Sequence, residues 1–90
     1  MTRIVWTEPA RQDLESIRSY IEQFRPLAAH RMAGRLGAAA NGLIDYPERG
    51  RPIGRGRREL TIISPYLIRY RLDGDTVVIL RIRHGARRSR

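Results

Sequence analysis

Apolar residues near the start of the chain follow first an extended and then a helical pattern. Ile4 and Val5 favour extended backbone and predict a short strand over residues 3–6. Thr7, followed by an acid and a proline, is typical of a helix start and predicts a helix from about Glu8 to Phe24. One apolar stripe with helical spacing is expected to face the core: Ala10, Leu14, Ile17, Ile21 and Phe24.

A second helix is predicted from about Pro26 to Asp45. Proline suits the first turn of a helix, and the apolar positions Ala29, Met32 and Leu36 keep the helical spacing. Almost no loop separates the two predicted helices, which favours an antiparallel helical hairpin.

The second half of the chain changes to strand patterns. Residues 46–58 are rich in glycine, proline and arginine and predict a loop. Three strands are expected after it: Glu59–Ile63, Tyr66–Leu72 and Thr76–Arg83, with an Asp-Gly turn between the last two. The order β-α-α-β-β-β predicts one α+β domain over residues 1–90, with the helical hairpin on one face of a mainly antiparallel four-stranded sheet.

The positive charge of the chain is its most informative feature for function. The 90 residues carry 18 basic and nine acidic side chains, a net charge of +9, and every basic residue is arginine. Polyanions are therefore the expected partners, such as nucleic acid, an acidic protein segment or an anionic membrane face. Guanidinium groups stay protonated and bind phosphate or carboxylate through two hydrogen bonds.

Several function classes are disfavoured by composition. The chain has no cysteine and only two histidines, so we expect no disulfide, no structural metal site and no cofactor. It has no apolar run of about 18 residues and no apolar signal-peptide core, so we expect neither a membrane span nor secretion.

Two arginine groups are candidate contacts for a partner or target. Five lie in the predicted loop, and three lie in the tail after Gly85: Arg49, Arg51, Arg55, Arg57 and Arg58, then Arg87, Arg88 and Arg90. The alternative interpretation is a solvated basic surface without a specific partner. Trp6 and Tyr20 are expected to be half-buried packing residues, and His30 an exposed helix residue.

Ordered sequence blocks resemble the RelE/ParE superfamily of bacterial type II toxin–antitoxin toxins, and its ParE-like branch most. They are "WTEPARQDLESIRSYIEQ", "YPERGRPI" and "RRELTIISPYLIRYRLDGDTVVILRIRHGARR", and together they cover nearly the whole chain. The resemblance implies a growth inhibitor in the cytoplasm that is neutralised by a cognate antitoxin in a hetero-oligomer. The ParE branch blocks DNA gyrase, whereas the ribonuclease branch cuts messenger RNA on the ribosome.

Chemistry distinguishes the two branches. Metal-free RNA cleavage needs a base, an acid and a cation beside the phosphate. Where the resemblance implies a catalytic arginine this chain has Leu67, and where it implies a terminal acid or base it has Gly85 and Ala86. Glu59 and His84 remain as a candidate proton-transfer pair, with Arg58, Arg81 or Arg83 for the phosphate.

These observations favour a toxin that acts on DNA gyrase by binding. A ribosome-dependent endoribonuclease is the first alternative, and a small basic RNA-binding or interaction domain is the second. The ordinary structural interpretations also stay open: Glu59 as a surface carboxylate paired to an arginine, and His84 as a polar residue that closes a strand.

Overall fold

Two helices cover one face of a five-stranded sheet in the computed structural model, which describes residues 2–85. The elements in chain order are β1 (Arg3–Trp6), α1 (Glu8–Glu22), α2 (Pro26–Asn41), a 3₁₀ turn (Gly42–Ile44), β2 (Arg51–Gly54), β3 (Arg57–Ile63), β4 (Tyr66–Asp73) and β5 (Thr76–His84). The strand order is β1-β5-β4-β3-β2. β1 pairs with β5 in parallel, and every other neighbouring pair is antiparallel.

The predicted α+β architecture is confirmed, with one strand more than expected. β2 lies inside the segment that was predicted to be a loop. Its proline and glycine residues are typical of a loop, so the sequence pattern did not indicate a strand. Pro52 is compatible with β2 because β2 is an edge strand, whereas proline in a central strand would remove a hydrogen bond. The sheet is thus five-stranded, and the basic segment forms the β2–β3 hairpin.

Helix boundaries follow from local chemistry. The Thr7 hydroxyl accepts a hydrogen bond from the backbone N–H of Ala10 (3.3 Å) and caps α1, as its position predicted. α1 ends at Glu22, two residues earlier than expected. α2 ends at Asn41 and continues as the 3₁₀ turn, so the predicted single helix to Asp45 is wrong over its last turn.

The core lies between the hairpin and the sheet. Small residues of the helices, Ala10 and Ala40, and the larger Leu36 pack against apolar side chains of the strands. The strand members of this cluster are Leu60, Ile68, Tyr70, Val77, Ile79 and Ile82. Val77 and Ile79 belong to the apolar run of β5, which lies inside the sheet between β1 and β4, as that run predicted.

The last residue of the predicted core stripe is not in the core. The Phe24 side chain is 68% exposed, because α1 ends before it and the chain turns directly into α2. Its ring packs edge-on against Tyr20, with centroids 5.5 Å apart, and Tyr20 is itself 56% exposed rather than half-buried. Trp6 does pack against the core, as expected.

Candidate functional site

The predicted basic loop divides into arginines with different roles. Arg49 is exposed, and so is Arg55, which lies at the tip of the β2–β3 hairpin. Arg58 instead donates hydrogen bonds to the carbonyl oxygens of Glu48 (3.1 Å) and Gly50 (2.6 Å). Arg58 therefore ties residues 48–50 to the sheet, while Arg49 and Arg55 are accessible to a partner.

Glu59 is buried, contrary to the expectation of a surface carboxylate. It is 2% exposed, and it accepts hydrogen bonds from Arg69 (2.7 Å) and Arg51 (3.3 Å). The expected pairing with arginine is thus right and the expected location is wrong. Leu60 joins the core beneath the helices, so strand alternation directs Glu59 to the opposite face.

That face of the sheet, which the helices do not cover, carries further arginines. Arg57 lies opposite Arg71 in the β3–β4 register, two pairs beyond Glu59 and Arg69 and therefore on the same face. The Arg57 Nε atom is buried and has no hydrogen-bond partner within residues 2–85. Arg71 is exposed, and its guanidinium makes a long contact to a carboxylate, 3.9 Å from Nη2 to Asp73. Arg69 and Arg71 were not among the predicted site residues, although their alternation with apolar positions in β4 was the available signal.

The two candidate proton-transfer residues are not brought together. Glu59 pairs with Arg69 across β3 and β4, whereas His84 pairs with Tyr66 across β4 and β5. Arg69 and Tyr66 are three residues apart on β4, a separation of about 10 Å along a strand. The structure therefore gives no direct proton path between Glu59 and His84.

His84 lies in a cleft between α1 and the ends of β4 and β5. The imidazole packs edge-on against Tyr66, with ring centroids 5.4 Å apart. The cleft has a volume of about 750 Å³, and Arg83 and Tyr20 also line it. An aromatic wall beside a guanidinium is an arrangement that can hold an anionic or planar group.

Arg81 is occupied by a contact to the first helix. Its guanidinium donates two hydrogen bonds to Asp13, at 2.7 and 3.1 Å, and this contact raises the pKa of Arg81. Asp13 also accepts the backbone N–H of Ile82 at 2.9 Å, on the part of β5 that extends beyond β1. Asp13 thus anchors α1 to the sheet, a role that sequence reasoning did not find.

Tyr70 fixes the loop before β2. Its hydroxyl accepts the backbone N–H of Gly50 (2.8 Å) and donates to the carbonyl oxygen of Pro47 (2.7 Å). Burial raises the pKa of the Tyr70 phenol. Tyr70 and Arg58 together position the entry to β2.

The remaining expectations concern the tail, metals and membranes. Arg87, Arg88 and Arg90 lie outside the described residues. Within residues 2–85, no group of three or more histidine, aspartate or glutamate side chains is arranged to hold a metal ion. No helix in the same range has the length and hydrophobicity to cross a membrane.

The sequence model described as "ParE toxin of type II toxin-antitoxin system, parDE" matches residues 4–89. The chain belongs to this ParE toxin family. Among curated relatives, it is 54% identical to "Toxin RelE2" of Caulobacter vibrioides, over 97% of this chain and 99% of that protein. It is also 39% identical to "Toxin RelE1" of the same organism, over 84% of this chain and 85% of the relative.

Solved structures agree with this assignment. A chain from the "Chromosomal ParDE TA system from P. aeruginosa" matches with a TM-score of 0.83 and 27% identity, over 93% of this ParE-family toxin and 96% of the matched chain. The conserved hypothetical protein HP0892 from Helicobacter pylori matches with a TM-score of 0.54 at 15% identity, which supports the fold alone. The protein is thus a toxin of a type II toxin–antitoxin module, as the sequence blocks predicted.

Proposed function

We propose that this ParE-family toxin inhibits DNA gyrase by binding to it and performs no chemical step. The observation that carries the proposal is that three of the five nuclease candidates have structural partners. Glu59 is held by Arg51 and Arg69, Arg81 is held by Asp13, and Arg58 is bonded to backbone carbonyls. A general acid or base must be within hydrogen-bond reach of its substrate, and a buried carboxylate between two guanidinium groups is poorly suited to that role.

The residues at the expected catalytic positions support the same conclusion. Leu67 is 3% exposed and aliphatic, where the ribonuclease branch would need an arginine. Gly85 has no side chain with which to transfer a proton. A toxin with leucine and glycine at these two positions would act through its contact surface, as a protein that inhibits gyrase by binding does.

A cognate antitoxin is the second proposed partner. The protein has a net charge of +9, and the helical hairpin leaves large apolar side chains in solvent, with Phe24 68% and Leu27 73% exposed. An antitoxin segment with carboxylates and apolar anchors complements both features. Toxin and antitoxin would then form a hetero-oligomer in the cytoplasm, where gyrase acts.

The direct test is a gyrase supercoiling assay with purified toxin. We expect inhibition that increases with toxin concentration and disappears when the antitoxin encoded beside the toxin gene is added. The antitoxin should also raise the melting temperature, since a ligand of the folded state stabilises it by mass action. Active gyrase at toxin concentrations that arrest growth would contradict the proposal.

A ribosome-dependent messenger RNA endonuclease is the second candidate function. It is favoured by a cleft that His84, Tyr66 and Arg83 line, and by the RelE names of the curated relatives. Cleaved messages in a translation extract, lost in His84→Gln, would support this function. If expression of the toxin without its antitoxin gave no growth arrest, a non-toxic interaction domain would be the remaining interpretation.

A further inference from the structure

The sheet face that the helices do not cover carries an excess of positive charge, and the proposed gyrase inhibition assigns no role to it. We propose that this face, here called the open face, binds the phosphate backbone of duplex DNA. By strand alternation its charged members are Arg3, Arg51, Arg57, Glu59, Arg69, Arg71, Asp73 and Arg83. This inference goes beyond gyrase inhibition and does not depend on it, because it concerns DNA binding by the toxin alone.

The charge of the protein is concentrated in the part of the chain that forms this face. Residues 8–45, which include the helical hairpin, carry five arginines and five carboxylates. Residues 46–85, which form four of the five strands, carry nine arginines and four carboxylates. The excess charge is therefore carried by the segment that forms the sheet and not by the helical hairpin, which favours approach of a polyanion from the side of the sheet.

Strand alternation brings the arginines of the open face together. Ile68 and Tyr70 point into the core, so Arg69 and Arg71 point to the open face. Arg57 lies opposite Arg71 in the neighbouring strand, about 5 Å away in backbone spacing. Ile4 and Trp6 pack against the core, which places Arg3 and Val5 on the open face at its other side.

Glu59 positions arginines on this face without neutralising it. Its buried carboxylate accepts hydrogen bonds from Arg51 and Arg69, while Arg57 and Arg71 flank this pair. Two guanidinium groups thus bind this carboxylate, and two more lie two residues further along β3 and β4. Glu59 is a positioning residue, because it restrains two guanidinium groups before any ligand arrives and so reduces the entropy cost of binding.

Arg57 provides an independent sign of a missing acceptor. Its Nε atom is buried and finds no acceptor within residues 2–85. A buried donor without a partner costs free energy, and an anionic oxygen would satisfy it with a charge-assisted hydrogen bond. A phosphate oxygen could supply this bond once the Arg57 side chain turns toward solvent, because Nε itself is buried in the present conformation.

The apolar residues of the open face favour duplex over single-stranded nucleic acid. Val5, Leu67 and Val78 lie on this face by alternation, and all three are aliphatic. Single strands are held largely by stacking of bases on aromatic side chains, and the strands contribute no aromatic residue here within the described part of the chain. Guanidinium groups without stacking partners suit a phosphate backbone, which duplex DNA presents regularly.

The test measures binding of the full-length toxin to a short fluorescein-labelled duplex across about 50–200 mM salt. The double variant Arg57→Gln/Arg71→Gln is compared with Arg31→Gln/Arg35→Gln, which removes the same charge from exposed positions on α2. Each lost phosphate contact should reduce the slope of log affinity against log salt by about 0.9. We expect a reduction of about 1.8 for the open-face pair and an unchanged slope for the helix pair.

The remaining outcomes also decide the proposal. Equal loss in the two double variants would show attraction by net charge alone and overturn it. Tighter binding of a single-stranded RNA of equal length, or easier displacement by polyglutamate than by unlabelled duplex, would overturn the choice of duplex DNA. Circular dichroism checks the fold, and if the Arg57 change unfolds the protein, Arg3→Gln/Arg71→Gln replaces it, because both side chains are exposed.

Discussion

Tyr70 and Gly50 form a contact that holds the loop before β2 against the sheet. The Gly50 N–H donates to the Tyr70 hydroxyl at 2.8 Å, and a Cβ atom on Gly50 would lie only 2.8 Å from the same oxygen and 2.9 Å from the Glu59 carbonyl oxygen. A side chain at this position would therefore force Tyr70 or the backbone to shift. Because β2 begins at Arg51, this contact also determines where Arg51 meets Glu59.

Removal of the Tyr70 hydroxyl should destabilise the fold. In Tyr70→Phe, the buried N–H of Gly50 and the carbonyl of Pro47 lose their partner, and an unsatisfied buried group costs about 1–3 kcal/mol. We expect a decrease of that size in the free energy of unfolding measured with urea. Tyr46→Phe is the matched control, since Tyr46 is 69% exposed, and a change as large in the control would contradict the assigned role.

The same hydroxyl should make stability depend on alkaline pH. Burial raises the pKa of Tyr70 in the folded state above its unfolded value of about 10. This contribution is complete below pH about 10 and is lost as the pH rises through the folded pKa. The wild type should therefore lose stability above pH about 10 more steeply than Tyr70→Phe, which a series of urea unfolding curves will measure. If the wild type and Tyr70→Phe lost stability equally steeply as the pH rises, the assignment of this pH dependence to Tyr70 would be refuted.

Gly50→Ala should be more harmful than an alanine in a helix. The new methyl group would overlap Tyr70 and backbone, and forced packing of this kind costs about 1–3 kcal/mol. Gly37→Ala is the control, because nothing lies within 4 Å of its Cβ position on α2, and alanine there should stabilise the helix by about 0.5–1 kcal/mol. Melting temperatures should change in opposite directions. A Gly50→Ala protein as stable as wild type would show that the loop relaxes freely.

Glu59→Gln and His84→Gln should each remain toxic when folded. Neither residue takes part in a chemical step if the toxin acts by binding, and the amide of glutamine keeps one acceptor for Arg51 or Arg69. Growth arrest after induction is the measurement, with soluble expression and circular dichroism as controls. Loss of toxicity in both folded variants, with cleaved messenger RNA in the wild type, would instead favour the endonuclease.

The tail arginines should contribute to association more than to folding. Arg87→Ala/Arg88→Ala/Arg90→Ala should change stability by no more than about 0.5 kcal/mol if these side chains lie outside the core. We expect weaker association with the antitoxin or the target, and a difference that shrinks as salt screens exposed charges. Titrations at low and high salt will measure it. Full toxicity together with unchanged antitoxin affinity would leave Arg49 and Arg55 as the basic contacts.

Local chemistry in the sequence was sufficient for most of the elements. The cap at Thr7, the proline at Pro26 and the Asp-Gly pair at residues 73–74 act within a few residues, so they predicted the helix starts and the β4–β5 hairpin. The three ordered sequence blocks also identified the toxin family from the sequence alone. Each block contains a strand or a helix start, and the blocks follow one another in a fixed order. β2 was missed, since an edge strand needs only one partner and tolerates proline.

The family, the helical hairpin and the excess of arginine follow from the amino-acid sequence alone. The roles of individual charged residues depend on the folded arrangement, because their partners are distant in sequence. Asp13 meets Arg81 across 68 positions, and Glu59 meets Arg69 only through the β3–β4 register. Burial of a carboxylate depends on which strands flank it, and no local pattern contains that information. Glu59, which was predicted to lie on the surface, is therefore buried beside Arg51 and Arg69 once β3 pairs with β2 and β4.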